Sequence, residues 1–491
     1  MTYIIYDFET SGRSARFDQV LQAGFIVYDQ SFTPINKINI KSKLNIDVIP
    51  SIGALRVNKL LIKDLFNEKF TYYEMILEIE NFLKKFENAF FLGFNSINFD
   101  EEFFRQARWE HFLYPYLTNT NGNFRGDLFN FATMIHAFRN KSINVGKNEN
   151  GKLTFKLESL AQANSFNIKN SHEAIADVEA TMKLMELLSK KNHDLFKVFV
   201  ENSRTKNVEK KISEKKVFTL HNYLFRAHRI YLVKSLINHP IYKNQHLGFD
   251  LKYNSQEIVD LEKNELKEVY LNKSFFRKIK LNKQPSILDK SFAKKSLPYS
   301  EISESEIDLK CKQLEKRSFL ENLAQILEDE AIDKMENQSQ EIQHEEDTIY
   351  SKNLNFKDSC MMINFHKESW SKKWSFAEKF IDPRLRFFAA KHLYRNAPDN
   401  LPRKIFLHLH EKISDRLNSM KKESFTTIPS AMEEADSLSL EIEEKLANYD
   451  EGIKNQLEQY NIYINLLNDY YNDSGARPMK FDSDLSKKLF S

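Results

Sequence analysis

Cysteine, glycine and proline are all scarce in this sequence of 491 residues. The two cysteines, Cys311 and Cys360, form no CxxC pair, so neither a disulfide framework nor a thiolate zinc site is supported. Only 11 glycines and 11 prolines occur, which argues against a collagen-like or loop-dominated chain. The sequence has no apolar run of about 18 residues and no basic segment at its start, so we expect neither a transmembrane helix nor a signal peptide. Two isolated cysteines also fit a reducing compartment.

The residues that are abundant indicate a folded protein with an uneven charge distribution. Hydrophobic residues make up 41% and charged residues 29%, with 40 Phe and 20 Tyr available for a core. The length predicts about three domains. The net charge is only +3, but residues 201–300 carry 21 Lys and Arg against 10 Asp and Glu, whereas residues 301–350 carry 5 against 15. This distribution predicts a basic binding surface followed by a solvated acidic segment.

Hydrophobic periodicity predicts a mixed α/β arrangement in the first 200 residues. Residues 204–216 are charged and are expected to link domains, residues 217–290 are typical of a small β-rich domain, and residues 303–346 and those beyond 350 are typical of helices. The predicted strands are 3–6, 21–28, 38–44 and 90–94, and the predicted helices are 70–86, 157–163 and 174–188.

Acidic residues follow the predicted strands in a recurring way. Asp7 and Glu9 lie two residues apart on the first strand, so both carboxylates should project from one face. Asp100 lies near the start of a helix, after an apolar strand that ends at Asn95. His172 and Asp177 form an H-x4-D pair at the start of another helix. Each element alone is common, since a D-x-E pair or an acid in the first turn of a helix usually has no catalytic role.

The chemistry of the combined set is coherent. Four carboxylates supply the hard oxygen ligands that Mg²⁺ or Mn²⁺ prefers. Two such ions about 3.5–4 Å apart can activate a water and stabilise the leaving oxygen of a phosphodiester. A neutral histidine can accept the proton of that water.

Three segments, taken in this order, resemble the motifs of the DnaQ-like exonuclease superfamily, in its DEDDh branch. They are Asp7-Phe8-Glu9-Thr10-Ser11-Gly12, Asn95 to Asp100 and His172 to Asp177. The resemblance implies a ribonuclease-H-like sheet and removal of mononucleotides in the 3′→5′ direction with two Mg²⁺ ions, for which Mn²⁺ can substitute. It also implies that Asp7, Glu9, Asp100 and Asp177 bind the metals and that His172 is the general base.

Residues 93–102, 114–116, 126–128 and 155–160 also resemble the bacterial exodeoxyribonuclease I family. That resemblance implies an exonuclease domain at 1–200, an SH3-like DNA-binding domain with an acidic helical extension at 201–348 and a helical domain at 349–491. The expected function is degradation of single-stranded DNA to 5′-mononucleotides in DNA repair or recombination. The expected protein is a monomer in the bacterial cytoplasm, with single-stranded DNA-binding protein as a partner. Glu9, Lys156, Phe8 and Asn95 are expected to contact the substrate.

The sequence departs from that family at two places. Lys59-Leu60-Leu61 replaces a usual Gly-Ile-Thr near the terminal nucleotide, and Lys156 replaces a common Arg, which loses the bidentate phosphate contact. Two other functions remain open. One is a DEDDh exonuclease that acts on RNA or proofreads for a polymerase, and the other is a single-strand-binding scaffold with an inactive nuclease domain.

Three further segments have a bearing on nucleic-acid binding. Residues 146–152 satisfy the pattern GxxxxGK, but Leu153 replaces the Ser or Thr that a P-loop requires and no apolar strand precedes them, so we expect a surface turn. Residues 225–231 and 275–278 interleave aromatic and basic residues. Such stretches suit single strands, whose bases stack on rings while their phosphates meet cations, although core aromatics beside solvated cations are the commoner arrangement.

Overall fold

The computed structural model describes residues 1–166, 173–338, 344–444, 451–473 and 476–490. Its strands form two five-stranded sheets and one short hairpin. The strands are β1 (Thr2–Thr10), β2 (Val20–Tyr28), β3 (Pro34–Lys41), β4 (Ala89–Gly93), β5 (Phe124–Asp127), β6 (Gly146–Lys147), β7 (Leu153–Thr154), β8 (Val217–Leu224), β9 (Ala227–Asn238), β10 (Gln245–Asp250), β11 (Phe276–Lys280) and β12 (Ser286–Leu288).

Helices cover the first sheet, flank the second and make up most of the last third of the chain. They are α1 (Ile52–Asn58), α2 (Ile62–Asn67), α3 (Tyr72–Leu83), α4 (Asp100–Glu110), α5 (Leu128–Phe138), α6 (Leu157–Ala163), α7 (Ala174–Lys191), α8 (His193–Asn202), α9 (Thr205–Lys215), α10 (Gln256–Val259), α11 (Lys263–Asn272), α12 (Lys290–Ala293), α13 (Glu304–Gln313), α14 (Arg317–Gln338), α15 (Phe356–Phe365), α16 (Trp370–Ala377), α17 (Pro383–Asn396), α18 (Arg403–Leu417), α19 (Ile428–Glu444), α20 (Glu451–Asn472) and α21 (Ser483–Phe490).

The first sheet has the order β3-β2-β1-β4-β5. The three amino-terminal strands pair antiparallel, and β4 and β5 add to β1 in parallel. Side chains alternate along β1, since Tyr3 and Ile5 pack in the core that contains α7, whereas Ile4, Tyr6 and Phe8 pack in the core that contains α3 and α4. Both faces of the sheet are therefore covered, and the mixed α/β sheet expected from the sequence is confirmed.

The second sheet is antiparallel, with the order β11-β10-β9-β8-β12. It confirms the β-rich segment predicted at 217–290. The acidic α14 packs in the same core as this sheet. Two of its carboxylates pair with basic residues, Asp329 with Lys263 at 2.9 Å and Glu330 with Lys278 at 2.8 Å. The other acids of this helix are exposed, as a solvated acidic segment predicts: Glu321, Glu328, Asp333 and Glu336. Only part of the negative charge of α14 therefore neutralises the basic block.

The carboxy-terminal helices share a core with an amino-terminal segment. Leu44 to Phe66, which includes α1 and α2, packs against α17 to α20. Gln456 on α20 donates hydrogen bonds to the carbonyls of Leu55 and Leu60, at 2.8 and 2.7 Å. The domain boundaries at 200 and 348 stay a prediction. The segment from Leu44 to Phe66 belongs to the predicted first domain in sequence but packs in the core of the carboxy-terminal helices.

Two short segments, at 204–216 and 146–152, are expected from the sequence to be a linker and a surface turn. Residues 204–216, expected to be a linker, include the helix α9, which buries Val208 and Ile212. Residues 146–154 form the hairpin of β6 and β7, and the chain lacks a P-loop helix there, as predicted. Within the described ranges, no helix combines the length and the hydropathy needed to cross a membrane.

Candidate active site

Strand β1 places Asp7 and Glu9 on the face of the sheet that α7 covers, because both residues continue the alternation of Tyr3 and Ile5. Asp7 pairs with Gly24 on β2. A Cβ atom at Gly24 would lie only 2.9 Å from the carbonyl carbon of Ala174, so glycine is needed for α7 to begin this close to the sheet. That approach brings Asp177, in the first turn of α7, to the end of β1.

Asp7, Glu9 and Asp177 form a group that could hold a metal ion. One carboxylate oxygen from each residue lies within 4.8 Å of the others. Burial raises the pKa of Asp7 well above its ordinary value, and the nearby carboxylates of Asp100, Glu9 and Asp177 raise it further. Burial, followed by repulsion from Asp177, raises the pKa of Glu9 to about 7. The predicted convergence of these three acids is therefore present in the fold.

Asp100 lies beside this group, at the start of α4. Its side chain is 4% exposed, and its Oδ1 accepts a hydrogen bond of 3.1 Å from the backbone N–H of Phe8. Burial is the largest cause that raises its pKa to about 8. The carboxylate of Asp100 thus contacts the backbone between Asp7 and Glu9.

The loop that precedes Asp100 is fixed by a residue that sequence reasoning had not assigned a role. Asp127, at the end of β5, accepts hydrogen bonds from the backbone N–H groups of Asn95 at 2.7 Å and Ile97 at 3.2 Å. Burial raises the pKa of Asp127 to about 6. The signal was in the sequence, because Asp127 immediately precedes the apolar helical stretch that begins at Leu128, as an N-cap acid does.

An open cleft of about 1220 Å³ lies over the acidic group. Asp7 and Asp177 line it together with two of the predicted substrate contacts, Asn95 and Lys156. Glu9, a third predicted contact, is 8% exposed and belongs to the acidic group. The cleft also contains the basic residues Arg56, Lys59, Lys147 and Arg226, of which only Lys59 had been singled out from the sequence as near the terminal nucleotide.

Two of the predicted site residues, Phe8 and His172, are not among the cleft residues that the structure describes. The side chain of Phe8 is 4% exposed and packs against Tyr6, Phe25 and Phe104. The expectation that Phe8 contacts the substrate stays a prediction. Strand alternation turns its buried ring to the face opposite Asp7, so such a contact would have to come from its backbone. His172 lies outside the described residues, so its role as general base stays a prediction.

The donor set of this group fits divalent cations. Carboxylate oxygens are the ligands preferred by Mg²⁺ and Mn²⁺. Burial and the carboxylates of Asp100, Glu9 and Asp177 all raise the pKa of Asp7, so negative charge dominates its surroundings among the residues that the structure describes. A cation between these oxygens would remove the repulsion.

Comparison with known proteins gives a partial sequence match and a nearly complete structural match. No family model matches the chain. It is 32% identical over 213 residues to exodeoxyribonuclease I of Haemophilus influenzae, and this alignment covers 43% of the chain and 44% of the relative. The sequence match therefore spans less than half the length of that relative. To exodeoxyribonuclease I of Escherichia coli it is 28% identical over 197 residues, or 40% of the chain and 41% of the relative.

The structural likeness extends over almost the whole chain. Exonuclease I from Methylocaldum szegediense aligns with a TM-score of 0.81 at 20% identity, covering 95% of this chain and 99% of that one. E. coli exonuclease I in complex with a dA16 oligonucleotide aligns with a TM-score of 0.79 at 19% identity and the same coverage. A structure of SSB/exonuclease I with an inhibitor aligns with a TM-score of 0.78 at 20% identity, covering 95% of this chain and 99% of that one.

These likenesses confirm the predicted fold class, an α/β exonuclease domain followed by a β-rich domain and a helical carboxy-terminal region. The chain is thus similar in sequence to bacterial exodeoxyribonucleases I over two fifths of its length and has the exonuclease I fold over nearly all of it.

Proposed function

We propose that this protein is a 3′→5′ exonuclease that degrades single-stranded DNA to 5′-mononucleotides. The observation that carries the proposal is the group of Asp7, Glu9 and Asp177. One carboxylate oxygen of each lies within 4.8 Å of the others, and Asp7 and Asp177 line a cleft. The match to exodeoxyribonucleases I supports the substrate class, as do the oligonucleotide complexes of proteins with this fold.

The acidic residues would hold the metals in two groups. Asp7, Glu9 and Asp177 would hold one Mg²⁺ ion, and Asp7 with Asp100 would hold a second, with Mn²⁺ as a substitute. When bound, such a pair supplies an activated water and neutralises charge at the leaving oxygen of the phosphodiester. The burial of Glu9 and Asp100 limits the water around their oxygens and so strengthens their electrostatic interactions.

Other side chains would position the substrate and move the proton. Lys156 is exposed at the start of α6 and lines the cleft, where its ammonium group would bind a phosphate. Asn95, exposed on the loop that Asp127 fixes, would contact the terminal nucleotide. His172, one residue before the N-cap of α7, would accept the proton of the attacking water.

The partners proposed for this chain follow from the same likeness. Single-stranded DNA is the substrate, and a single-stranded DNA-binding protein is a partner, in keeping with the SSB/exonuclease I structure that shares this fold. We propose further that the protein acts as a monomer in the cytoplasm, in DNA repair or recombination.

A substitution at Asp7 tests the mechanism. Asp7→Ala should keep its affinity for a 5′-labelled single-stranded oligonucleotide and lose hydrolysis in Mg²⁺ by at least about 100-fold, because several kcal/mol of charge stabilisation are removed. Asp415→Ala, a change at an exposed acid on α18, is the matched control and should act like the parent protein. Equal rates for Asp7→Ala and the parent would remove Asp7 from the mechanism.

The same assay tests the substrate class and the direction of cleavage. The parent protein should shorten a 5′-labelled DNA strand progressively and should release the label of a 3′-labelled strand at once as a mononucleotide. Faster degradation of an RNA strand of the same sequence would replace the proposed substrate with RNA. Binding without cleavage in Mg²⁺ and in Mn²⁺ would instead support the inactive scaffold.

A further inference from the structure

The turn between β8 and β9 has an unfavourable backbone for its sequence. Leu224 pairs with Ala227, so only Phe225 and Arg226 connect the two strands. Their φ angles are 52° and 60°, in the left-handed region that two-residue hairpin turns require. Asn and Gly are the usual residues there, and a bulky residue with positive φ is held under strain by its surroundings. The sequence thus places an aromatic and a basic residue where folding alone would favour neither.

The side chain of Phe225 is almost completely exposed to solvent, at 95%. The other stretch of interleaved aromatic and basic residues, 275–278, is built differently. Phe275 there is 6% exposed in the core of the second sheet, and Arg277 pairs with Asp250 at 2.6 Å. That stretch stabilises the fold, whereas the ring of Phe225 contributes little packing to it.

The tip of this hairpin belongs to the wall of the cleft that contains the acidic group. Arg226 and Tyr223 line the same cleft as Asp7 and Asp177. The ring of Tyr223 packs on Phe155, with centroids 4.8 Å apart, and Phe155 lies in the core of the first domain and also lines the cleft. The hairpin therefore borders the path by which a strand would reach the metal-binding acids.

A hydrogen bond between two histidines joins the hairpin of β8 and β9 to helix α5, and a second one joins its two strands. His228 on β9 lies 2.8 Å from His136 on α5, measured from Nε2 to Nδ1. Its other nitrogen, Nδ1, lies 3.0 Å from Nε2 of His221 on β8. The ring of His228 also contacts Tyr223, at 5.0 Å between centroids. The exposed tip is thus held in a defined position relative to the cleft.

We propose that Phe225 stacks on a base of the single strand that enters the cleft, while Arg226 binds an adjacent phosphate. This inference rests on the proposed function, since it concerns the substrate of the same site. An exposed, rigidly placed ring beside a cation is the arrangement that binds single strands without sequence preference. Backbone strain of this kind is concentrated at binding sites, and it occurs here at Phe225 and Arg226.

Three substitutions at Phe225 separate stacking from a structural role. Loss of one base stack predicts that Phe225→Ala raises the Kd for a dT oligonucleotide about tenfold in EDTA, where no hydrolysis occurs. Phe225→Trp should keep the parent affinity, because its ring also stacks. Phe225→Gly should weaken binding as much as Phe225→Ala without lowering Tm, because glycine relieves the strain of the turn. Phe356→Ala, at a phenylalanine 84% exposed on α15, is the matched control and should leave the Kd unchanged.

An oligonucleotide with abasic sites identifies the contact as a base. The parent and Phe225→Ala should bind it with equal affinity, since the ring then has no base to stack on. Equal affinities of the two proteins for the dT oligonucleotide would overturn the inference, and so would a loss on Phe225→Ala that is the same for both oligonucleotides.

A small substrate distinguishes this failure from failure of the proposed function. The 5′-(p-nitrophenyl) ester of thymidine 5′-phosphate is too short to reach a separate stacking residue. Phe225→Ala should hydrolyse it at the parent rate in Mn²⁺. A parent protein that hydrolyses neither this ester nor DNA would overturn the proposed function, whatever the affinities show.

Discussion

Two clusters of acidic residues in this protein have opposite electrostatic surroundings: one lies among cations and the other among further carboxylates. Asp47 and Glu346 lie among three cations, with Arg395 bound to both oxygens of Asp47 at 2.6 and 2.7 Å and Lys391 2.6 Å from Glu346. Arg416 completes the cluster, 2.9 Å from Glu346. The acidic group at the end of β1 instead borders an open cleft, and its carboxylates raise the pKa of Asp7 by their mutual repulsion.

The pKa values of the two clusters differ in direction for this reason. Burial acts to raise the pKa of Asp47, but the charges of Arg395 and Lys391 outweigh it and hold the pKa well below its ordinary value. The same balance, with Lys391 and Arg416, lowers the pKa of Glu346 to about 2. At Glu9, burial and Asp177 act in the same direction and raise the pKa to about 7. The cations of the first cluster are residues of the chain itself, whereas the carboxylates of the second could be neutralised by a bound metal ion.

The largest effect that tests this difference is expected at Glu9. Glu9→Gln removes one of the proposed metal ligands, so the proposed hydrolysis of DNA in Mg²⁺ should slow by at least about 100-fold. The same change removes a repulsive charge, so Tm in EDTA at pH 8 should not fall and is expected to rise. Single-turnover rates and thermal denaturation of the same preparations measure both.

Glu87→Gln, at an exposed acid just before β4, is the control for Glu9→Gln and should change neither quantity. A Glu9→Gln protein that is inactive and also much less stable in EDTA would contradict the comparison, because Glu9 would then support the fold in the way Asp47 does.

At Asp47 a substitution is expected to lower stability and to leave activity unchanged. Asp47→Asn leaves Arg395, Lys391 and Arg416 buried with too little negative charge, so the free energy of unfolding should fall by about 3–5 kcal/mol. Urea denaturation measures this loss. The rate per folded molecule should stay near that of the parent, because Asp47 lies in the shared helical core and not in the cleft.

An exposed ion pair provides the control for Asp47. Asp194 lies 3.4 Å from Arg139, and its side chain is 64% exposed. Asp194→Asn should therefore change stability by less than about 1 kcal/mol. Similar losses for Asp47→Asn and Asp194→Asn would show that burial of the Asp47 cluster adds nothing to stability.

The sequence predicted the acidic group better than the Asp47 cluster for a physical reason. Asp7, Glu9, Asp100 and Asp177 occupy strand ends and first helical turns, and local periodicity fixes which way such positions face. The cluster of Asp47 joins residues up to 369 positions apart, and no local pattern marks such a contact.

The same reason explains the other differences between expectation and structure. The periodicity of α3 and α7 was visible from their apolar residues, whereas α1 and α2 are short and become stable through packing on α20. Burial of the Phe8 ring could have been derived from the strand alternation that turns Asp7 to the opposite face of the sheet. Pairing of α14 with the basic sheet depends on a fold-level contact between Glu330 and Lys278, which charge counting by segment cannot show.

The most gradual expected effect concerns pH and metal. Glu9 and Asp100 have pKa values of about 7 and about 8 in the folded protein, above their ordinary values, so the metal-free folded state binds more protons than the unfolded state. Its stability should therefore fall as pH rises from about 5 to 8, by on the order of 3 kcal/mol for Glu9 alone. The Asp47 cluster should contribute equally throughout this range, because the pKa of Glu346 is lowered to about 2 and its stabilisation is lost only as pH falls from its ordinary value of 4.5 through pH 2.

A divalent cation should reverse this trend, because its ligands must be deprotonated and its binding releases protons. The increase in Tm on adding Mn²⁺ should thus grow from pH 5.5 to 8.5, and Glu9→Gln should flatten the dependence on pH in EDTA. Thermal denaturation in matched buffers, with and without Mn²⁺, measures both slopes. A Mn²⁺-dependent increase that is the same at pH 5.5 and pH 8.5 would mean that the acids at the end of β1 are already ionised without metal, and the contrast with Asp47 would then be lost.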